Sequence, residues 1–466
     1  MYEFIEYVLY ELKNSLVLAL LAGLAGLGAL FVSRYLYRKK HGAGSKFPWG
    51  RALLYLALAG YLVIVLYATL LRWSFYRMEY NLHLFRAWRE AWNNYSAKNW
   101  ANVLLNVAMF VPFGFLQPLL WKKCRNWYTA IFAGFGLSLA IELVQLMTGR
   151  GVCDVDDLFA NTLGTLIGFF LGMTILTAFC QKRWKAGLVY CGLSLIPIAA
   201  ICSIFLLYNI REYGNLPNAP AYVIDTSDTR WKLECELPVI SNEAAVYKTQ
   251  TRTRQDCDAF AEEFKAIIHT EYNTVSYYQE AAYYMDNGSD GGAHFLYVNY
   301  LDQGYTYSAR FDDALWADAD RETLEAALLM FPVRIPETAE FTMEGDGWHS
   351  FAVKEYVDGD SLYDGTLRVR YAADGSVRDI ENQLLCYTFY AREAVISPEE
   401  AFDRLCAGKF NDGGLFAHQN PTDISVLSCT LGYAVDTKGF YQPVYWFEVV
   451  SRDGKYPYRI MIPAME

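Results

Sequence analysis

The sequence predicts a two-part protein, a six-helix transmembrane α-bundle followed by an extracytoplasmic α+β domain. The chain has 466 residues and is 54% hydrophobic, and six apolar runs in its first half are long enough to cross a bilayer. The net charge also differs in sign between the two parts of the chain. Residues 1–210 hold 19 Lys+Arg and 9 Asp+Glu, a net of +10, so the remaining 21 and 42 give −21 and the sum is −11. The basic residues fall in short clusters between apolar runs, which argues against nucleic-acid binding.

The apolar runs match the roughly 17–25 residues that a helix needs to span a bilayer. No cleavage-like site of small residues follows the first run, and Lys13 is a poor charged flank for a signal peptide. A retained helix is therefore expected there. The predicted spans are residues 14–33, 51–71, 101–120, 127–147, 158–180 and 186–208.

Three loops rich in Lys and Arg predict the orientation in the membrane. Loops 34–51, 121–126 and 181–186 contain basic residues and no acidic residue. Basic loops are retained in the cytoplasm, so the N-terminus and the C-terminal domain are expected outside the cell membrane. Loop 72–99 opposes this orientation, because it is predicted external and still holds five basic residues.

Residues 211–220 (REYGNLPNAP) predict a linker, and an α+β domain is expected over residues 221–466. Helices are predicted at 254–268, 320–331 and 397–407, the last opening with a capping box of Ser397 and Glu400 around Pro398. Strand pairs follow each helix, so the domain reads as repeated helix-plus-antiparallel-strand modules. The predicted pairs are 293–300 with 304–311, 362–371 with 377–390, and 442–451 with 456–463.

The ten cysteines show no spacing typical of a zinc site. Six of them would lie outside the membrane, where disulfides persist. Buried free thiols and a pairing such as Cys235 with Cys257 both fit the sequence.

Aromatic residues recur at helical spacing in loop 72–99, where Trp88, Trp92 and Tyr95 follow one another at intervals of three and four. Such a helix fits the membrane interface, and it also fits a lid over a site at the membrane face. In the fifth span, Gly164, Gly168 and Gly172 predict close approach of another helix.

The third span contains two prolines, Pro112 and Pro118. A proline removes a backbone donor from a helix, so these two are expected to bend or interrupt the span.

Polar residues gather at the same end of the third, fourth and fifth spans, where charged groups are expensive. Helical periodicity places the pairs within each span on one face. The residues are Asn102 and Asn106 in the third span, Glu142 and Gln145 in the fourth, Arg150, Asp154, Asp156 and Asp157 in the following loop, and Asn161 in the fifth.

Two interpretations of these residues stay open. In the first, Glu142 pairs with Arg150, Asp157 accepts from Asn161, and the network locks the helices together. In the second, Glu142 and Asp157 act as catalytic acid and base, and Asn102, Asn106, Gln145, Arg150, Asp154 and Asn161 bind a ligand. Three aspartates within four residues are more often a solvated loop than a metal site, so no metal or cofactor is expected.

The order and spacing of these residues resemble the VanZ-like membrane family over residues 50–180. The matching run consists of Asn106, Phe110-Val111-Pro112-Phe113-Gly114, Glu142, Gln145, Arg150, Asp154, Asp156, Asp157, Asn161, Thr162 and Gly164. Residues 81–85 (NLHLF) stand where the family often has Asn-Leu-x-Pro-Phe, and they depart from it at the proline. The resemblance implies a bacterial envelope membrane protein. The family's namesake is associated with low-level resistance to teicoplanin-type lipoglycopeptides.

The external domain is similar to PepSY- or YycI-like envelope modules at residues 396–401 and 441–445. Such modules are thought to bind partners outside the cell. Three functions follow as hypotheses. The protein recognises an outer-leaflet amphiphile, such as a lipid-linked cell-wall precursor or a lipoglycopeptide. Alternatively it is an enzyme acting on a lipid-linked headgroup, or a membrane-anchored sensor whose external domain binds an envelope protein or peptide.

Overall fold

A computed structural model of the protein divides into two units, Met1–Glu212 and Tyr213–Glu466. It describes residues 26–42, 45–71, 79–278, 280–287, 293–310, 315–411, 416, 421–452, 454 and 457–465.

The first unit is helical, and its long helices begin and end within a few residues of the predicted spans. Five helices of the described chain are long and apolar enough to cross a membrane. They correspond to the second to sixth predicted spans. Of the first predicted span, residues 14–25 lie outside the described residues, and 26–33 belong to helix α1. The helices are α1 (described over 26–41), α2 (Trp49–Leu66, continued by a π-helical turn Tyr67–Leu71), α3 (Arg86–Asn94), α4 (Ala97–Leu120), α5 (Trp127–Thr148), α6 (Val155–Ile175, continued by a π-helical turn Leu176–Cys180) and α7 (Trp184–Ile210).

Helices α4 and α6 pack backbone against backbone, as the glycine spacing predicts. A Cβ atom added at Gly164 would strike the carbonyl oxygen of Val107, and one at Gly168 would strike that of Val111. A Cβ at Gly114 of α4 would in turn strike the carbonyl oxygen of Thr165. The glycines on both helices therefore make this approach sterically possible.

Helix α4 runs without interruption through Pro112 and Pro118, so the prolines do not break the span, and the expected bend stays a prediction. The prolines lie in the half of α4 that packs on the glycine face of α6, where Pro118 is in contact range of Gly172. Interhelical packing of this kind holds a proline-containing helix in place in a bilayer.

The three basic loops lie at one end of the bundle. Tyr55, near the start of α2, contacts Trp121 at the end of α4, with 6.4 Å between their ring centroids. Ala130 at the start of α5 packs with Met173 and Leu176 at the end of α6. The loops before α2, between α4 and α5, and between α6 and α7 thus share an end, as the charge pattern requires if they face one compartment.

The second unit is built around a large, mostly antiparallel sheet of fourteen strands. Their order is β3-β14-β15-β4-β13-β11-β12-β8-β7-β6-β5, with β10 and β9 joined to β11, and β16 joined to β15. The strands are β3 (Arg230–Leu233), β4 (Glu243–Lys248), β5 (Thr274–Tyr277), β6 (Ala281–Asn287), β7 (Ala293–Asn299), β8 (Tyr305–Arg310), β9 (Glu340–Gly345), β10 (Trp348–Asp358), β11 (Ser361–Tyr371), β12 (Val377–Asn382), β13 (Leu385–Ala394), β14 (Asp423–Val435), β15 (Phe440–Ser451) and β16 (Tyr458–Pro463); β1 and β2 belong to the membrane half.

Three helices coincide with the predicted ones: α8 (Arg254–Ile268), α9 (Arg321–Leu328) and α10 (Pro398–Cys406). Helices α8 and α9 cover one hydrophobic core, and α10 covers a second. The Ser397 hydroxyl accepts from the Glu400 amide at 3.2 Å, which is half of the expected capping box. The Glu400 carboxylate pairs with Arg404 instead, at 2.7 Å.

The predicted strand 377–390 is two strands, β12 and β13, which pair with different parts of β11. The division follows from Gly365, whose φ of +112° turns β11 and brings it against the carbonyl of Gln383. Periodicity does not reveal such a turn. The other two predicted strand pairs are observed as β7–β8 and β15–β16. The repetition of modules stays a prediction.

Part of the predicted linker is built into the second unit. The backbone N–H of Gly214 donates to the buried Asp436 carboxylate at 2.6 Å, and Asn215 accepts from the amide of Thr437 at 3.0 Å. Asp436 is fully buried. Its hydrogen bonds fold residues 214–215 onto the turn between β14 and β15.

All ten cysteines are described and free. Cys257 lies in the core under α8, whereas Cys235 packs against the core under α10. The pairing of Cys235 with Cys257 is therefore wrong, and the alternative of free thiols describes the structure.

Candidate functional site at one end of the membrane bundle

The candidate site is formed where the end of α5 faces the start of α6. Ser138, Glu142 and Gln145 are all buried on one side of α5. Asn161 of α6 donates from Nδ2 to Ser138 Oγ at 2.9 Å, which links the two helices one turn below Glu142. Predicted polar residues of the fourth and fifth spans thus meet in one layer.

Glu142 is only 3% exposed, and its partner is a backbone amide. Its Oε2 accepts from the N–H of Asp154 at 2.9 Å. Among the described residues it forms no ion pair with Arg150, whose Nη1 donates to the Leu70 carbonyl at 3.3 Å. The expected Glu142–Arg150 pair is absent because Gly149, with a φ of +63°, ends α5 and redirects the chain.

Asp154 caps α6 and ties it to a second segment of the chain. Its Oδ1 accepts from the amide of Asp156 at 2.8 Å and from Asn81 Nδ2 at 3.0 Å. Burial raises the pKa of Asp154, while the hydrogen bonds from Asp156 and Asn81 lower it. Asn81 is held there by a short parallel strand pair, β1 (Glu79–Asn81) with β2 (Val152–Asp154).

Asp156 is 2% exposed, so the expectation of a solvated loop is wrong for this residue. Its two carboxylate oxygens accept from the amides of Phe85 at 2.5 Å and Ala87 at 2.6 Å. These amides belong to the first turn of α3, where backbone donors have no partner within the helix. A carboxylate also interacts favourably with the positive end of the helix dipole. Asp156 therefore anchors α3.

Asp157 bonds across to α4. Asn106 donates from Nδ2 to Asp157 Oδ1 at 2.5 Å, and both side chains are half-buried. Asn102 lies one turn earlier on α4 and is exposed. It makes no hydrogen bond with any side chain of the candidate site that the structure describes, so the structure does not bring it into the site.

Two amide oxygens in this layer lack a partner. Gln145 donates from Nε2 to the Thr69 carbonyl at 3.0 Å, which leaves its Oε1 unpaired within the described chain. Asn161 Oδ1 is likewise unpaired. The two residues are 8% and 2% exposed.

Helix α3 presents its aromatic residues to the bundle. Trp88 lies 6.1 Å from Phe159 of α6, and Tyr95 stacks on Tyr208 of α7. Ala91, between them on the helix, is fully buried. The helix thus packs over the end of α6, where its first turn is held by Asp156, an arrangement that fits a lid as well as a packing element.

Two residues of the site were not predicted from the sequence. Asn81 is the first residue of NLHLF, the segment that stands where the family often has Asn-Leu-x-Pro-Phe. The family pattern could therefore have identified Asn81 as a site residue. Ser138 lies four residues before Glu142, so helical periodicity alone places it on the same face. A serine in an apolar span does not by itself indicate a functional site. The role of Ser138 is evident only from its contact with Asn161.

The described carboxylates do not converge as metal ligands. In the part of the chain that the structure describes, no three His, Cys, Asp or Glu side chains are placed to hold a metal ion. The four acidic groups are instead directed to backbone amides and asparagine side chains.

Two known proteins are similar to parts of this chain. Protein VanZ of Enterococcus faecium is 26% identical over 156 residues, which is 33% of this chain and 93% of that protein. The Bacillus megaterium YpeB C-terminal domain is a structural neighbour with 11% identity and a TM-score of 0.18, covering 46% of this chain and 94% of that one. A similarity at that TM-score supports no argument about the second unit.

Residues 53–179 match the VanZ/LLP1 family. The matched range begins in α2, ends in the last turn of α6, and contains Asn81, Glu142 and the aspartates. The protein is therefore a membrane protein whose helical half matches the VanZ/LLP1 family over residues 53–179.

Proposed function

We propose that the helical half recognises an amphiphile in the outer leaflet, such as a lipid-linked cell-wall precursor or a lipoglycopeptide. Through this recognition, the protein contributes to tolerance of teicoplanin-type glycopeptides. The observation that supports the proposal is Glu142, a buried carboxylate without an ion pair among the described residues. An ionisable residue buried within a transmembrane segment is rare and energetically costly, so its retention is characteristic of a functional site.

The surroundings of Glu142 support the same conclusion. Glu142 bonds to the backbone N–H at the start of α6, the same segment that carries the acidic side chains of Asp154 and Asp157. Groups of like charge destabilise a purely structural network, whereas a bound cationic group would stabilise it. The relation to Protein VanZ adds the envelope context.

The proposed orientation places the basic end of the bundle in the cytoplasm, with the candidate site and the second unit outside. It is supported by the three basic loops, which share the end opposite Glu142. In this arrangement the second unit is the part that binds an envelope protein or peptide.

Replacing site residues tests the proposal in cells that depend on this protein. Glu142→Gln, Asp157→Asn and Arg150→Ala are expected to lower the tolerated teicoplanin concentration at equal membrane abundance. The matched control is Gln117→Leu, because Gln117 is a fully buried amide at the other end of α4. Unchanged tolerance in all three site variants would refute the proposal.

An enzyme is the second candidate, with Glu142 and Asp157 as acid and base on a lipid-linked headgroup. The presence of two carboxylates at the same end of the bundle favours it, since such pairs can divide acid and base roles. Purified protein would then turn over a labelled lipid-linked precursor, and Glu142→Gln would abolish turnover. Binding of the precursor without turnover leaves recognition as the function.

A further inference from the structure

We propose that the candidate site binds the primary ammonium group of its amphiphile. This inference rests on the proposed function and names the headgroup chemistry. The residues concerned are called the acceptor cluster: Glu142, Gln145, Asp154, Asp157 and Asn161.

The acceptor cluster contains more hydrogen-bond acceptors than donors. The Gln145 amide nitrogen faces the Thr69 carbonyl, which can only accept, so the orientation of this amide is determined. The Asn161 nitrogen is directed to Ser138. Both amide oxygens are left without a partner in the described structure. An unpaired buried acceptor is destabilising, and a donor from a ligand would offset that cost.

The carboxylates need positive charge as well as donors. Glu142 accepts one backbone hydrogen bond, and Asp157 accepts one from Asn106. An ionised carboxylate has about four acceptor positions, so each retains capacity. Asp156 differs, because both of its oxygens are satisfied by the amides of α3, and it is not part of the cluster.

The unpaired oxygens and the carboxylates lie in one interhelical layer. Asn161 faces the side of α5 that carries Ser138, Glu142 and Gln145, and Asp157 lies one turn earlier on α6, where it contacts Asn106 of α4. One helical turn is about 5.4 Å, so the Asn161 amide lies about one turn from the level of Glu142. Asp157 is half-buried and Glu142 is buried, so Asp157 lies at the rim of the candidate site and Glu142 at its floor.

A primary ammonium group fits this layer better than other cations. It carries one positive charge and three donors, enough for a carboxylate and a neighbouring amide oxygen. A quaternary ammonium has no N–H donor and is recognised by aromatic faces. A metal ion would need a converging set of ligands, which the described residues do not provide.

The test uses full-length protein in an uncharged detergent, titrated with dodecylammonium chloride, dodecyltrimethylammonium chloride or dodecanol. Thermal unfolding and tryptophan fluorescence report binding. Dodecylammonium is expected to bind saturably, at least about tenfold more tightly than the trimethyl compound, because the trimethyl compound has no N–H donor and forms none of the charge-assisted hydrogen bonds. Equal affinity for both cations would overturn the inference.

Variants separate specific binding from partition into the micelle. Glu142→Gln and Asn161→Leu should each weaken dodecylammonium binding at least about tenfold. Gln117→Leu should not change it, although this amide is also buried and unpaired. Should Glu142→Gln fail to fold, Asn161→Leu alone decides, and unchanged affinity in that variant refutes the ammonium site.

The headgroup inference and the proposed function fail differently. If Glu142→Gln abolishes teicoplanin tolerance while both cations bind equally, recognition stands and the ammonium assignment is wrong. If the protein binds dodecylammonium more tightly than the trimethyl compound but teicoplanin tolerance does not depend on Glu142, the site binds ammonium groups. The proposed role in glycopeptide tolerance is then wrong.

Discussion

Asp156 determines where α3 lies. It is buried 71 residues from Phe85 in sequence, yet its carboxylate accepts from two amides at the start of that helix. Neighbouring Asp154 and Asp157 bond to Asn81 and Asn106 instead. Three acidic residues that look equivalent in the sequence thus hold three different segments.

Replacing Asp156 with Ala should release α3. Hydrogen bonds to charged groups contribute about 1.5–3 kcal/mol each, so the loss should destabilise the bundle by several kcal/mol. Thermal unfolding in detergent measures this, and faster quenching of Trp88 fluorescence would show the exposure of α3.

The control for Asp156→Ala is Glu90→Ala on the same helix. Glu90 pairs with Arg86 at 2.8 Å, and both side chains are largely exposed. Such a pair contributes about 0.3–0.5 kcal/mol. Equal destabilisation by both substitutions would contradict the anchoring role of Asp156.

At the scale of elements, the bundle depends on the contact between α4 and α6. Gly164, Gly168 and Gly172 face backbone atoms of α4 without intervening side chains. This close approach brings Asn106 of α4 within reach of Asp157 of α6. The packing of two helices therefore positions part of the candidate site.

Gly168→Ala should separate these helices. The added Cβ would collide with the Val111 carbonyl and lie 2.8 Å from the Phe115 nitrogen, both of them backbone atoms that cannot rotate away. Overpacking of this kind costs about 1–3 kcal/mol, and the thermal midpoint should fall.

Gly136→Ala on α5 is the matched substitution, because nothing lies within 4 Å of the added atom. Alanine is a better helix former than glycine by about 0.8–1.0 kcal/mol, so this variant should be neutral or stabilised. A similar loss in both variants would mean that glycine conformation, and not helix contact, explains the effect.

At the scale of the whole molecule, the distribution of charge predicts orientation. The basic loops share one end of the bundle, and the second unit follows α7 from the opposite end. The proposed external position of the acidic unit rests on this charge distribution, and it requires an even number of crossings from an external N-terminus.

Single cysteines in a cysteine-free background test this orientation. Ser227→Cys in the second unit should react with a membrane-impermeant maleimide in intact cells, and Lys123→Cys in a basic loop should react only after permeabilisation. Both native side chains are exposed, so access depends on the compartment. The reverse pattern of labelling would invert the topology.

Sequence alone determined the long helices. Spans were predictable because an apolar run of bilayer length has few alternatives, helix α8 because its periodicity is local, and helix α10 because its cap is local as well. The grouping of Asn106, Glu142 and Asn161 at one end also followed from sequence, since crossing helices alternate in direction.

Only the tertiary structure decided which polar groups bond. Glu142 accepts from the Asp154 amide and not from Arg150, Asp156 anchors α3, and Gly214 belongs to the second unit through Asp436. Each of these bonds depends on a chain reversal or on a partner far away in sequence. A buried polar group binds whichever partner the packed backbone brings within about 3 Å, and sequence spacing does not encode that distance.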